Sequence, residues 1–137
     1  MNVLVDTSIW SLVLRKETPK NHAFILELSE LINESRVRII GPIRQELLSG
    51  IKSAAQFREI KSYLSGFPDI PLGTSDFEKA AEFSNTCRRS GVQGSNTDFL
   101  ICSVAYLHDL EIFTTDNDFS GFQKYIPVNL YSIRTDK

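Results

Sequence analysis

The 137-residue sequence predicts an α/β fold: a three-layer α/β/α sandwich around a short, mainly parallel central sheet. Three observations lead there. Val3, Leu4 and Val5 are three apolar residues in a row, two of them β-branched, which suits a strand buried on both faces. Short runs of this kind then alternate with stretches that are apolar at helical spacing, the pattern of a parallel sheet with helical crossovers. No internal repeat, low-complexity tract or linker interrupts the alternation, so residues 1–137 read as one domain.

The elements follow in order. The first strand delivers Asp6 at its C-terminal end; Thr7 and Ser8 suit the cap of a helix whose apolar face is Ile9, Leu12 and Val13. Residues 17–21, Pro19 among them, make a loop. A helix over 22–34 carries Phe24, Leu28, Leu31 and Ile32. Residues 37–40 form a second strand closed by Gly41 and Pro42, and Pro42 fits the first turn of a helix with Ile43, Leu47, Leu48 and Ile51 on its apolar side. Glu46 stands one turn into that helix. Residues 54–64 form another helix, stopped by Gly66 and Pro68, and 69–72 are at most a short edge strand because Pro71 interrupts them. Ser75 and Glu78 match a capping box that opens a helix ending at Gly91. After a polar loop, Asp98 stands at the start of a helix running to His108. A strand over 111–115 ends at Asp116, and a short helix around 119–122 precedes a last strand over 128–133.

Composition narrows the class. The 42% apolar and 23% charged fractions are those of an ordinary globular protein. No apolar run approaches the ~20 residues of a membrane span, and an acid at position 6 argues against a secretory signal. Cys87 and Cys102 lie in helical contexts without CxxC spacing and read as reduced thiols, so a cytoplasmic location is expected. The net charge of −2 decides nothing about nucleic acid, because acids that hold a metal mask a basic patch in the total.

Four acids carry the chemistry. Asp6 and Asp116 follow strands, Glu46 follows the second strand by one helical turn, and Asp98 opens a helix. In a parallel sheet the strand C-termini share one edge, so these carboxylates can converge on one crevice. Each alone would serve equally well as a cap or a solvated charge. Together they need a cation, and oxygen-only ligands select Mg²⁺ or Mn²⁺. Such an ion supports attack of water on phosphorus. No Walker loop or GxGxxG is present, and neither His22 nor His108 has a nearby Ser or Cys with which to form a dyad.

The segments "VLVDTSIW", "PIRQELLSG" and "SNTDFLICSVAYLHDLEIFTTDNDF", in this order and at these separations, resemble a PIN-domain ribonuclease of the VapC toxin type over nearly the whole chain. The resemblance implies a Mg²⁺- or Mn²⁺-dependent endoribonuclease, homodimeric and silenced by a small antitoxin. The family's acidic quartet falls on Asp6, Glu46, Asp98 and Asp116, with Asp6, Asp98 and Asp116 as metal ligands. Asp118, Thr7 and Thr115 match residues that flank the family's site. "SNTD" departs from the longer apolar or Pro-containing approach that many relatives have before the third acid. Arg44, Arg88 and Arg89 lie near the expected site edge, where they would grip RNA phosphates; the Arg88–Arg89 pair equally suits a solvated helix C-terminus.

Three rivals fit less well. A phosphoacceptor receiver domain would place paired acids after the first strand and a lysine after the last, where this chain has Thr7-Ser8-Ile9 and Ser132-Ile133-Arg134. A haloacid-dehalogenase-type phosphatase would need an acid where Ser8 stands. A catalytically silent PIN-like binding module would not require all four acids.

Overall fold

A buried three-residue strand, β1 (Val3–Val5), is the centre of the sheet. A computed structural model describes residues 1–15 and 22–134, and the loop expected at 17–21 lies outside them. β1 pairs in parallel with β2 (Val37–Arg38) on one side, Val3 opposite Val37, and with β3 (Glu111–Phe113) on the other, Val5 opposite Phe113. β4 (Asn129–Leu130) pairs in parallel with β3, completing a sheet of order β2-β1-β3-β4. All-parallel strands require covered crossovers. Among the described residues these are α1 (Thr7–Leu14), α2 (His22–Asn33), α3 (Gly41–Leu48), α4 (Ala54–Leu64), α5 (Thr74–Arg89), α6 (Asn96–Leu107) and α7 (Asp118–Gln123). The expected parallel α/β sandwich is the observed one.

The strands are shorter than the apolar runs suggest. Ile39 leaves the β2 ladder to make a single parallel bridge with Asp69, and Ile70 N donates to its carbonyl at 2.9 Å. Beyond Phe113, Thr114 and Thr115 turn away to make the contacts described below. α1 packs on α2 and α3, α3 on α4, and α5 lies along α6. Residues 99–105 of α6 are buried without a break, so this helix is apolar all round and forms the core's second axis. Trp10 is fully buried, donates from Nε1 to Val5 O at 3.1 Å, and meets Phe67 edge-on at 5.1 Å. Gly91 adopts φ +80° just past α5, and Val92 N closes back on Cys87 O at 2.9 Å, the left-handed ending expected there.

Two polar features replace sequence expectations. α5 begins at Thr74 with Gly73 as its cap, two residues before the Ser75–Glu78 box. Asp76 is the reason: nearly buried, it accepts from Gly73 N at 2.9 Å and meets His108 Nε2 at 3.3 Å, whereas Glu78 is exposed. The second feature is Glu27, 1% exposed within an apolar helix face. Its carboxylate accepts from the Tyr131 hydroxyl and from Arg134 Nε at 2.8 Å, and Arg134 also pairs with Glu34 at 2.9 Å. This clasp pins the chain after β4 to α2. Burial and the Glu27 contact push the Tyr131 phenol up to about 12.

Candidate active site at the carboxyl edge of the sheet

Asp6 occupies the cap position of α1 without capping it. Its N–H donates to Phe113 O at 2.9 Å, and its carbonyl accepts from Ile9 N at 3.0 Å to start the helix. The carboxylate makes no capping bond; it is 6% exposed, and Oδ2 accepts from Thr114 Oγ1 at 2.7 Å and Ser8 Oγ at 2.9 Å. Each hydroxyl is itself oriented. Thr115 N donates to Ser8 Oγ at 3.0 Å and Asp116 N donates to Thr114 Oγ1 at 2.9 Å. A hydroxyl has one proton; with a backbone donor on each oxygen, that proton is left for Asp6 or for the other hydroxyl, 3.2 Å away. The parallel register explains the meeting: with Val5 opposite Phe113, the next residue on each strand is Asp6 and Thr114.

Asp116 stands one Thr114 hydroxyl away from Asp6, on the loop leaving β3. Its Oδ1 accepts from Asp118 N at 2.9 Å, a side-chain turn that opens α7. Asp98 enters from the opposite side, in the first turn of α6. It shares a reciprocal capping box with Ser95: Asp98 N donates to Ser95 Oγ at 3.0 Å, and Ser95 N donates to Asp98 Oδ2 at 3.1 Å. Burial pushes the Asp98 carboxyl above its ordinary range, the Ser95 bonds oppose this, and the charges of Asp116 and Asp6 add to the rise. The charges of Asp116 and Asp6 thus act on Asp98. Glu46, exposed on α3, accepts from Thr7 Oγ1 at 2.9 Å, which holds it beside the residue that follows Asp6.

Asp6 and Asp116 are thus linked through Thr114, the charges of both reach Asp98, and Glu46 is tied to Thr7 beside Asp6. Among the described residues, no group of three or more Asp, Glu, His or Cys side chains stands arranged to hold a metal ion, and none of the four acids is paired with a lysine or arginine. Beneath them Cys102, one turn after Asp98, is buried with its thiol pushed far up by desolvation and by the charges of Asp98, Cys87 and Asp6. It is an inert part of the floor.

The remaining predicted residues divide. Thr7 bonds Glu46, but Thr115 is exposed and contributes its backbone N–H; the threonine hydroxyl on Asp6 is that of Thr114. Asp118 is exposed and likewise contributes its N–H. Arg44 is not available to a phosphate. Its guanidinium bonds Asp69 Oδ1 at 3.1 Å, Leu64 O at 2.9 Å and Phe67 O, stapling α3 to the end of α4. Arg89 bonds Thr86 at 3.3 Å. The exposed Arg88 side chain makes no ion pair or hydrogen bond with a described residue, and lines a groove of about 480 Å³ with Asn96 and Thr97, next to Asp98.

The family model described as PIN domain matches residues 3–125. The chain belongs to the PIN domain family. Its fold is also that of several solved structures of low identity. FitAcB from Neisseria gonorrhoeae is 20% identical over 95% of this chain and 96% of that chain, with a TM-score of 0.76. VapBC2 from Rickettsia felis, solved bound to a DNA fragment from its promoter, is 20% identical over 96% and 98%, with a TM-score of 0.77. VapBC-1 from nontypeable Haemophilus influenzae is 18% identical over 96% and 97%, with a TM-score of 0.72. No curated protein matches the sequence. In this PIN domain the Asp6–Thr114–Asp116 arrangement lies where β1 and β3 end, at the carboxyl edge of the sheet. Sequence reasoning missed Ser8 and Thr114 as the holders of Asp6, since only strand register sets them there.

Proposed function

We propose that this PIN domain is a divalent-metal-dependent endoribonuclease, the toxin of a type II toxin–antitoxin pair. One observation carries the reading: the nearly buried Asp6 carboxylate is held by two hydroxyls instead of capping its helix, and its charge, with that of Asp116, acts on Asp98. Helix capping alone gives no reason to gather three uncompensated acids.

The donor set fits a hard cation. It offers oxygen atoms only, and a cation of the Mg²⁺ type keeps several waters and asks for few protein ligands, so an open cluster suits it better than a closed cage. Asp6, Asp98 and Asp116 would hold it. When bound, it supplies positive charge against that developing on the phosphoryl oxygens and lowers the pKa of a water. The chain does the rest. Ser8 and Thr114 fix Asp6, the Ser95 box fixes Asp98, and Glu46, anchored by Thr7, orients the attacking water at the rim. The water oxygen would bond to phosphorus as the phosphorus–oxygen bond to one ribose breaks in line; the water gives up a proton and the leaving ribose oxygen takes one up from solvent to depart as a hydroxyl. Arg88 contacts a neighbouring phosphate.

A toxin–antitoxin complex from Klebsiella pneumoniae has a like fold at 22% identity and a TM-score of 0.69, which supports an antitoxin as partner; we read a cation of that inhibitor as pairing with the acids. We read the active form as a cytoplasmic homodimer of this single domain. No described helix is long and apolar enough to cross a membrane.

Purified chain should cut RNA in Mg²⁺ or Mn²⁺ and stop when a chelator is added, and Asp6→Asn should abolish cutting. Cleavage that persists in excess chelator, with Asp6→Asn and Asp98→Asn both active, would rule the reading out.

A further inference from the structure

Behind Asp116, between α2, α7 and the end of β4, lies a cavity of about 490 Å³ that the chemistry above does not use. One wall is aromatic, from Phe24 and Tyr131; the other is uncharged and polar, with Thr115, Asn117 and Ser120. Asp116 and Thr114 also line it, and Thr114 donates to Asp6 at 2.7 Å, which sets the cavity beside the Asp6 clamp. The aromatic wall is fixed in advance. Glu27 holds the Tyr131 hydroxyl, Arg36 lies 5.6 Å over its ring, and Phe113 packs against Tyr131 at 5.2 Å and Phe24 at 6.2 Å.

Among the described residues the lining contains no Lys, Arg or His, and its one charge is Asp116. An uncharged flat ring with donors and acceptors on its edge is accepted, since rigid aromatics stack at little entropic cost and the Asn117 amide offers both hydrogen-bond senses. We propose that this cavity is a nucleobase subsite, holding the base of one nucleotide beside the cleaved bond. The inference rests on the nuclease reading and narrows its substrate. A base must leave its stack and its partner to enter, so the substrate is single-stranded RNA.

The test is a cross between protein and substrate changes. A short single-stranded oligoribonucleotide with one cut site is compared with versions made abasic at each position in turn. For the wild type, the abasic change at one position beside the cut should lower kcat/KM by about tenfold or more, the range expected for one lost stack. Ser120→Trp fills the cavity from an exposed position of α7, and Phe24→Leu removes half of the aromatic wall. In both, checked for folding by melting temperature, the abasic penalty should shrink at that position alone. An unchanged penalty in Ser120→Trp overturns the subsite while leaving the nuclease reading intact. Duplex RNA cut as fast as the single strand overturns the subsite too. Ser120→Trp that keeps the base penalty and instead escapes a protein inhibitor assigns the cavity to that inhibitor, against the proposal. A wild type that cuts no RNA overturns the nuclease reading and the subsite with it.

Discussion

Replacing Thr114 by Val tests whether Asp6 is held by built hydroxyls. The change nearly conserves shape and removes one oxygen that donates to Asp6 Oδ2 at 2.7 Å and accepts from Asp116 N at 2.9 Å. Because Asp6 is 6% exposed, water cannot replace the lost donor freely. A hydrogen bond to a charged group is worth roughly 1.5–3 kcal/mol, and the freed Asp116 amide, on a half-buried residue, regains solvent, so we expect a loss of about 2 kcal/mol. For a chain of this length that lowers Tm by roughly 6–8 °C. The single tryptophan, Trp10, is fully buried one helical turn after Asp6 and reports urea unfolding by fluorescence. Asp6→Asn keeps an acceptor and removes the charge, so the double mutant should fall short of additivity by about 1 kcal/mol. Thr114→Val within about 0.5 kcal/mol of wild type, additive with Asp6→Asn, would refute the hydroxyl-clamp reasoning.

Two further outcomes follow from the same geometry. Asp98→Asn keeps the acceptor that Ser95 N needs and removes a charge whose folded pKa is raised by burial and then by Asp116 and Asp6. A raised carboxyl destabilises the fold fully above its folded pKa and fades as pH falls toward the unfolded value. In chelator Asp98→Asn should therefore melt above the wild type at neutral pH, the gap closing on acidification; equal melting curves at every pH would contradict it. Arg44→Met leaves two carbonyls without their donor and should cost about 2 kcal/mol in urea unfolding, with RNA cleavage per folded molecule unchanged. Cleavage that collapses while stability holds would return Arg44 to the RNA surface.

How far the sequence carried depended on whether a feature was local. The Val3–Val5 strand, the helix at Ala54–Leu64 and the Gly91 stop were legible because a short window holds their whole cause. Where two local signals competed, the deeper burial won: Asp76 over the Ser75–Glu78 box. The Ser95–Asp98 box lay in the loop and went unread, although it is as local as the one chosen. Thr114 over Thr115 required the register of β3 against β1, and Arg44's occupation required knowing that the carbonyls of α4's end face α3. Glu27 was hidden by helical periodicity, since its partners, Tyr131 and Arg134, are about a hundred residues away. Burial raises Asp98 first, and repulsion by its neighbours comes after.

The claim on which the account turns is that Asp6, Asp98 and Asp116 hold one divalent cation together, and calorimetric titration of Mn²⁺ into the pure chain tests it without RNA. Asp6→Asn, Asp98→Asn and Asp116→Asn should each weaken binding by more than about tenfold, and Glu46→Gln, held at the rim by Thr7, should weaken it less. Mn²⁺ affinity unchanged in Asp98→Asn, with Asp6→Asn and Asp116→Asn also near wild type, would show that the three acids are caps and turn-formers and that the crevice is not a metal centre.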